Sequence, residues 1–320
     1  MKRIAIALTC LVLLLAKNTK ANDTASMKVG LFVTNLYDFN ISGKSYKADF
    51  WIWYLNKNDS VKALGSCELP QSKSSSFSYD YKRPKEKPTD EVFSNQKCKS
   101  EIIKDWNVTT FPFDKQSLDI KIESSLELHE LKLMPDAENS GVDSSLFMEE
   151  WGVKKFSLKN GITSYNTNYG DPKITKAASK YSYINASIDL ERKNQYMIFF
   201  KLLTVLFASF IIICSAFFLE PDNTTRFGVA TGSLFAAVSN KNFAASVAPS
   251  STGSTLMDNI HNFTFLCFIL VIGMALYTYT LAKKEQKEKA KKIGQVFIFS
   301  LLIAYIAIVA LMVWNAKTTT

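Results

Sequence analysis

The sequence has few of the residues on which catalytic and metal sites depend. Its 320 residues include only two histidines, His129 and His261, which are far apart in the chain, and five cysteines. We find no close Cys/His/acid spacing that would suit a metal ion, no glycine-rich phosphate loop and no nucleophile motif. We therefore expect no enzymatic activity, no metal and no cofactor.

Long apolar runs are missing between Asn22 and the 190s. Before them the chain begins with the basic "MKR", a short apolar core, and the small residue Ala21 at a plausible cleavage point. This order is typical of a secretory signal peptide, so we expect residues 1–21 to be removed. The alternative is an uncleaved anchor, but the apolar core is short for a membrane span.

After the 190s, three apolar runs are each long enough to cross a bilayer as a helix. They are Leu202–Leu219, Phe263–Leu281 and Ile293–Trp314, and a more polar segment, Thr224–Val247, lies between the first two. The stretch Ala282–Lys292 has six lysines against two glutamates, which indicates a cytoplasmic loop. With the first half exported, that loop is cytoplasmic only if the polar segment also crosses, so we predict four spans. The formal net charge of +9 owes much to this loop and requires no nucleic-acid partner.

The first half of the chain alternates short strand-like runs with loops and contains no long amphipathic helix. Val29–Phe39 and Ser45–Leu55 are rich in aromatic and β-branched residues, whereas Pro70–Glu91 is mostly serine, proline and charge and is predicted as a long loop. This pattern predicts an all-β extracellular sandwich over residues 22–192, followed by a four-helix transmembrane domain over residues 193–320.

Two cysteines, Cys67 and Cys98, lie in the exported half, whereas Cys10 belongs to the signal peptide and Cys214 and Cys267 to predicted spans. In an oxidising compartment a lone pair is expected to form a disulfide. The alternative is two separate thiols.

The segment Trp106–Ile120, "WNVTTFPFDKQSLDI", resembles the loop at the base of the ligand-binding domain of pentameric ligand-gated ion channels, the Cys-loop receptor superfamily. The flanking order is similar too: two strands before it, a "WGVKKF" strand after it, then Arg192 leading into four helices. Lys104 and Leu118 stand where animal receptors have bridging cysteines, as in prokaryotic members that lack this disulfide. Taken alone, "FPFD" is also compatible with an ordinary turn.

The resemblance implies a homopentameric channel in a bacterial inner membrane, with the N-terminal domain on the extracellular or periplasmic side. It would conduct cations and open when a small ligand or protons bind the extracellular domain. Its partners would be copies of itself, that ligand or protons, permeant ions and the bilayer, with no nucleic acid. The alternative is a membrane-tethered sensor or adhesion protein that conducts nothing.

The polar segment is the one expected to line a pore. At helical spacing one face collects Gly228, Gly232, Phe235, Ser239 and Asn242. Small and polar groups suit a water-filled pore, and a ring of Phe235 side chains would close it by dewetting. The alternatives are close helix packing through the two glycines and a packing role for Phe235.

Charge near the inner mouth is expected to set selectivity. Glu220 and Asp222 would favour cations, whereas Arg226 either opposes them or points into a helix interface. The alternative for the two acids is that they merely face the cytosol.

The resemblance also assigns a gating interface and a ligand site between subunits. The gating residues would be Phe111, Pro112, Phe113, Asp114, Arg192 and Pro249. The ligand would meet aromatic side chains able to cage a cationic amine, namely Trp53, Tyr165, Tyr169, Tyr181 and Tyr183. Tyrosines on strands are also common packing residues.

Overall fold

The computed structural model describes residues 24–57, 61–87, 90–170, 178–220, 223–247 and 253–319. The predicted signal peptide, Asp222 and Pro249 lie outside these ranges. Within them, a β-rich N-terminal part is followed by helices, which confirms the predicted order of the two classes of element. Three of the helices are long and apolar enough to cross a membrane.

Ten strands form two sheets in the described part of the N-terminal region. The strands are β1 (Ala25–Asn40), β2 (Ser45–Asn56), β3 (Cys67–Glu68), β4 (Ser72–Arg83), β5 (Val92–Ile103), β6 (Lys115–Glu127), β7 (Leu131–Pro135), β8 (Gly141–Val142), β9 (Trp151–Tyr165) and β10 (Ser179–Arg192). One sheet has the order β4-β5-β2-β1-β7, with β8 also pairing with β1, and the other has the order β3-β6-β10-β9.

Alternate side chains of the central strands fill the space between the sheets. Ile52 and Tyr54 of β2 are buried, as are Ile120 and Ile122 of β6, because every second side chain of a strand points to the same face. The Tyr46 hydroxyl reaches across to donate to the Asp119 carbonyl oxygen at 3.0 Å. The residues between the buried positions point outward, and Trp53 of β2 is one of them.

The structure corrects the prediction that Pro70–Glu91 is a long loop. Most of this segment is β4, which pairs antiparallel with β5 at the edge of the first sheet. Nearly all of β4 is exposed on both faces, so it has no buried positions to leave an alternating apolar pattern in the sequence. For that reason, the alternation of apolar and polar residues that predicts other strands does not predict β4.

The predicted disulfide is also wrong, since Cys67 and Cys98 are free thiols. Cys67 lies on β3 of one sheet and Cys98 on β5 of the other. Burial raises the pKa of each thiol to about 12, which keeps both protonated and unreactive.

Four long helices follow the sandwich: α1 (Gln195–Ser215), α2 (Asn223–Val247), α3 (Leu256–Lys283) and α4 (Lys287–Thr319), with a short 3-10 turn, Ala216–Phe218, after α1. The apolar candidates for membrane spans are α1 with its 3-10 turn, α3, and α4. Helix α2 is the polar segment. It packs against α1 and α3, whereas α4 packs chiefly on α3.

Strand and helix are joined with almost no linker at the base of the sandwich. Strand β10 ends at Arg192 and α1 begins at Gln195. Of the two residues between them, Asn194 has φ 55°, in the left-handed region where asparagine is one of the few tolerated side chains. The chain therefore turns from strand to helix at a single residue.

Candidate functional site

Arg192 is the centre of a buried cluster at the end of the sandwich that adjoins the helices. Its guanidinium donates to both carboxylate oxygens of Asp114, Nε to Oδ1 at 3.0 Å and Nη2 to Oδ2 at 3.2 Å. Its Nη1 donates to Glu150 Oε2 at 2.9 Å. The Asp114 and Arg192 side chains are almost fully buried, whereas that of Glu150 is 64% exposed. Asp114 and Arg192, both assigned to the gating interface by the resemblance, are therefore paired with each other, and Glu150 lies at the edge of the cluster.

Two aromatic rings enclose the same guanidinium. The Arg192 Cζ atom lies 5.1 Å from the ring centroid of Phe111 and 4.4 Å from that of Trp151. Both rings are buried. A planar guanidinium suits this setting because it stacks on aromatic faces while its edge binds carboxylates. Trp151 reaches Arg192 through the β9–β10 register, in which the two residues are direct partners.

The turn that carries Asp114 also contacts the helices. Phe113 lies 5.7 Å from the Tyr196 ring and 5.3 Å from the Phe199 ring of α1. The Leu256 backbone N–H, at the start of α3, donates to the Thr109 carbonyl oxygen at 2.8 Å. Pro112 is buried between these contacts and follows a cis peptide bond. The turn thus lies between Arg192 and two helices, while Pro249, the remaining residue assigned to the gating interface, falls outside the described residues.

Three of the predicted ligand residues come together on the outer face of the second sheet. The rings of Tyr165, Tyr169 and Tyr181 are 5.8 to 6.3 Å apart in pairs. They line a cavity of about 290 Å³ together with Glu68, Glu123, Ser124 and Ser125. An open group of aromatic rings beside carboxylates is chemically suited to a cationic amine.

Glu123 lies at the base of this tyrosine cluster and was not predicted from the sequence. It accepts hydrogen bonds from the Tyr165 hydroxyl at 2.6 Å and from the Thr163 hydroxyl, and forms an ion pair with Lys121 at 2.7 Å. Burial acts to raise its pKa, but the hydrogen bonds from Lys121, Thr163 and Tyr165 outweigh burial and hold the pKa below its usual value. The bond to Glu123, and then burial, raise the pKa of Tyr165, so the phenol stays neutral.

The other two predicted ligand residues lie elsewhere. Tyr183 is two positions along β10 from Tyr181, and its ring is covered by the Lys121 ammonium at 4.5 Å. Trp53 is on β2 of the opposite sheet, and because its neighbours Ile52 and Tyr54 point into the core, it points away from the core. One chain therefore does not bring Trp53 to the tyrosine cluster.

Trp53 is fixed against its own sheet. Its indole N–H donates to Asp136 Oδ2 at 2.8 Å, and Asp136 also pairs with Lys28 at 2.9 Å. A Cβ atom added to Gly30 would lie only 2.2 Å from the Trp53 ring, so the indole lies flat over that glycine. Only the ring face, and not the N–H, is left to contact a ligand.

Compared with protein-family models and with curated proteins, the sequence matches none. Function is therefore inferred from the geometry of these residues.

The five residues predicted to line a pore lie on one exposed face of α2, and Phe235 is 74% exposed. Nothing lies within 4 Å of the position that a Cβ would take on Gly228 or Gly232. Within one chain these glycines therefore do not serve close helix packing. The opposite face of α2, which packs against the other helices, is formed by Arg226, Ala230, Ser233, Ala237, Asn240 and Ala244.

Arg226 points into the helix interface, which decides between the two alternatives left by the sequence. Its Nη1 donates to Thr278 Oγ1 at 2.8 Å and its Nη2 to the Leu219 carbonyl oxygen at 3.1 Å. The guanidinium also lies 4.7 Å from the Phe217 ring centroid. Glu220 is exposed just before α2, and Asp222 is outside the described residues.

Polar contacts further along α2 were missed by sequence reasoning. Asn240 Nδ2 donates to the Leu202 carbonyl oxygen of α1 at 2.9 Å and lies 3.2 Å from His261 Nε2 of α3. One amide of α2 thus contacts both α1 and α3. Among the described residues, no group of three or more His, Cys, Asp and Glu side chains could hold a metal ion.

Proposed function

We propose that this chain is one subunit of a homopentameric ligand-gated ion channel that conducts cations. Helix α2 crosses the membrane with the three apolar helices as the fourth span and lines the pore. A small ligand or protons binding the extracellular sandwich open it. The sandwich occupies the extracellular or periplasmic side of a cell membrane.

The observation that carries this proposal is the exposed face of α2. In a single chain its small and polar groups and the large Phe235 ring face no protein, while the opposite face packs on α1 and α3. A polar face at membrane depth is stable only against protein or water. Several copies arranged around a central axis supply both protein and water, because each copy turns this face toward a common water-filled pore.

The position of the ligand residues supports assembly as well. The tyrosine cluster lies on the outer face of one sheet and Trp53 on the outer face of the other. In a ring of identical subunits, one face of each sandwich meets the opposite face of its neighbour. A ligand between copies would then contact the tyrosines of one and the Trp53 ring of the next.

Cation conduction is favoured by the orientation of Arg226. With the guanidinium directed toward Thr278 and Leu219, its charge is turned away from the exposed face of α2. Glu220 is exposed, so in the pentamer one Glu220 from each subunit forms a ring of carboxylates at the inner mouth. Such rings favour cations.

The test is planar-bilayer recording of purified protein whose pentameric state has been measured, while pH and small amines are varied. Phe235→Ala should give current without ligand, because removing the apolar ring allows water and ions to pass. The control is Leu234→Ala, one position away on the same helix and only 37% exposed. It should leave the resting pore closed.

Silence of a verified pentamer under all conditions, in both the unchanged protein and Phe235→Ala, would reject the channel. A protein that purifies as a monomer would reject the pentameric channel before any recording is made. Equal leak in the two alanine variants would instead show that Phe235 is not the closing ring.

A further inference from the structure

The loop between β8 and β9, residues 143–150, carries the most exposed large apolar side chain among the described residues. The Phe147 ring is 82% exposed, more than the 74% of Phe235 on the proposed pore face. A single exposed ring on an ordinary protein surface would need no explanation. This ring needs one because of the place at which the loop holds it.

The loop fixes the position of Phe147. Its neighbour Met148 is buried, and Leu146 packs against the core of the sandwich. The loop is also closed on itself, because the backbone N–H of Ser145 donates to Asp143 Oδ1 at 2.8 Å. The Leu146 N–H donates to the Asp143 carbonyl oxygen at 3.1 Å. The ring is therefore held outward between two side chains that are anchored in the sandwich.

The loop lies beside the junction between the sandwich and α1. The Lys193 backbone N–H donates to the Glu150 carbonyl oxygen at 2.6 Å, and Lys193 Nζ donates to the Met148 carbonyl oxygen at 2.9 Å. The same ammonium is 5.6 Å from the centroid of the Phe147 ring. Since Lys193 is two residues before Gln195, the first residue of α1, Phe147 lies at the level where α1 begins.

In the proposed channel that level is the boundary of the bilayer, because α1 is long and apolar enough to span it. Helix α4 ends at the same boundary, where the Lys317 ammonium lies 4.9 Å from the ring centroid of Phe113 in the sandwich. A lysine suits this boundary because its apolar stem lies along hydrocarbon while its ammonium reaches water. A phenylalanine ring is stabilised when it leaves water for the hydrocarbon below.

We propose that Phe147 anchors the sandwich to the bilayer by inserting its ring into the leaflet that α1 enters first. Insertion is limited to the ring, because Ser144 and Glu149 of the same loop are polar and exposed. The anchor rests on α1 crossing the membrane, as in the proposed function, but not on ion conduction.

A neighbouring subunit is the alternative occupant of the space around the ring. The bilayer is favoured by Lys193, which is exposed and whose Nζ has one hydrogen-bond acceptor among the described residues, the Met148 carbonyl oxygen. Lipid phosphates lie at this depth and accept from the remaining N–H groups of an ammonium. A neighbouring subunit would have to supply an apolar pocket for the ring and an acceptor for Lys193 at the same place.

The experiment measures the surroundings of position 147 in the full-length protein reconstituted in lipid bilayers. Phe147→Cys is labelled with a nitroxide, and electron paramagnetic resonance gives its collision rates with oxygen, which concentrates in hydrocarbon, and with a water-soluble nickel chelate. Because the Phe147 side chain is mostly exposed, this substitution should leave the fold intact. The unchanged protein, whose four described cysteines are buried or half-buried, gives the background labelling.

Two further labelled positions calibrate the measurement. Ile303→Cys lies in the middle of α4 at a side chain that is 70% exposed, and reports hydrocarbon if the helices span the bilayer. Tyr79→Cys replaces another exposed ring, which packs on Trp51 in the middle of β2, and reports water. We expect the ratio of oxygen to nickel collision rates at position 147 to lie above that at 79 and below that at 303, because the ring reaches only the outer hydrocarbon.

A ratio at position 147 equal to that at 79 would overturn the proposal, since the ring would then lie in water. Low collision rates with both reagents would also overturn it, because protein, such as a neighbouring subunit, would then cover the ring. A water-like ratio at position 303 would reject the spanning helices, and with them both the anchor and the proposed function. The expected ratio in a protein that never conducts would reject the channel and leave the anchor standing.

Discussion

Arg192 and Asp114 form a two-bond ion pair in which both side chains are almost fully buried. The same guanidinium bonds Glu150, which is largely exposed. Arg192 ends the last strand of the sandwich and Asp114 lies in the turn that contacts α1 and α3. The pair therefore joins the strand that leads into α1 to the turn that contacts α1 and α3.

Asp114→Asn should cost about 3 kcal/mol of stability, because removing one charge of a buried pair leaves the other uncompensated. Glu150→Gln, which removes a carboxylate from the same guanidinium, should cost less than about 1 kcal/mol because that carboxylate is exposed to solvent. Thermal unfolding of the two purified variants makes the comparison. Equal losses would show that burial does not set the strength of these contacts. In variants that still assemble, Asp114→Asn should also shift the agonist response.

Gly30→Ala should destabilise the sandwich by about 1–3 kcal/mol, because the new methyl group overlaps the Trp53 ring and must push the indole off Asp136. Gly141→Ala adds the same group where nothing lies within 4 Å and should be close to neutral. Melting temperatures of the two variants measure both changes in stability. A neutral Gly30→Ala would show that Trp53 is free to move, and so available to reach a ligand with its N–H.

The stabilising effect of Glu123 should depend on pH. Its folded pKa is held below the ordinary value of 4.5, so its contribution is fully present above that value and is lost as the pH falls through the lower folded value. The difference in melting temperature between the unchanged protein and Glu123→Gln should therefore be largest at neutral pH and shrink in acid. Glu68→Gln, which alters an exposed carboxylate of the same cavity, is the control. A difference that grows in acid would contradict the assigned hydrogen bonds.

Glu220→Gln should lower the preference for cations, since the proposed ring at the inner mouth loses its charge. Glu285→Gln neutralises an exposed carboxylate in the loop between α3 and α4 and should leave selectivity unchanged. The measurement is the reversal potential of each variant and of the unchanged protein in a salt gradient. If neither change moves the reversal potential, selectivity is set elsewhere on the α2 face.

Local geometry explains what the sequence predicted well. The exposed face of α2 was found because helical spacing alone decides which residues share a side, and "FPFD" was found as a turn because proline and aspartate favour one. Strand β4 was missed because neither of its faces is buried.

Contacts between distant segments were the other omission. Glu123 meets Thr163 and Tyr165 only through the pairing of β6 and β9 with β10, and Lys317 reaches Phe113 only through the docking of α4 beside α1. Such contacts depend on strand register and helix packing, which residue patterns within one segment do not determine. The tyrosines could therefore be named from the sequence, but Glu123, the carboxylate beneath them, could not.

The short junction after Arg192 restricts the kind of motion that the sandwich can pass to the membrane domain. With two residues between β10 and α1, and one of them in a narrow region of backbone conformation, the strand and the helix cannot slide independently. A longer linker would absorb a small displacement as slack. In the proposed channel, a twist of β10 about its own axis would therefore act directly as torque on α1, with little loss across the junction.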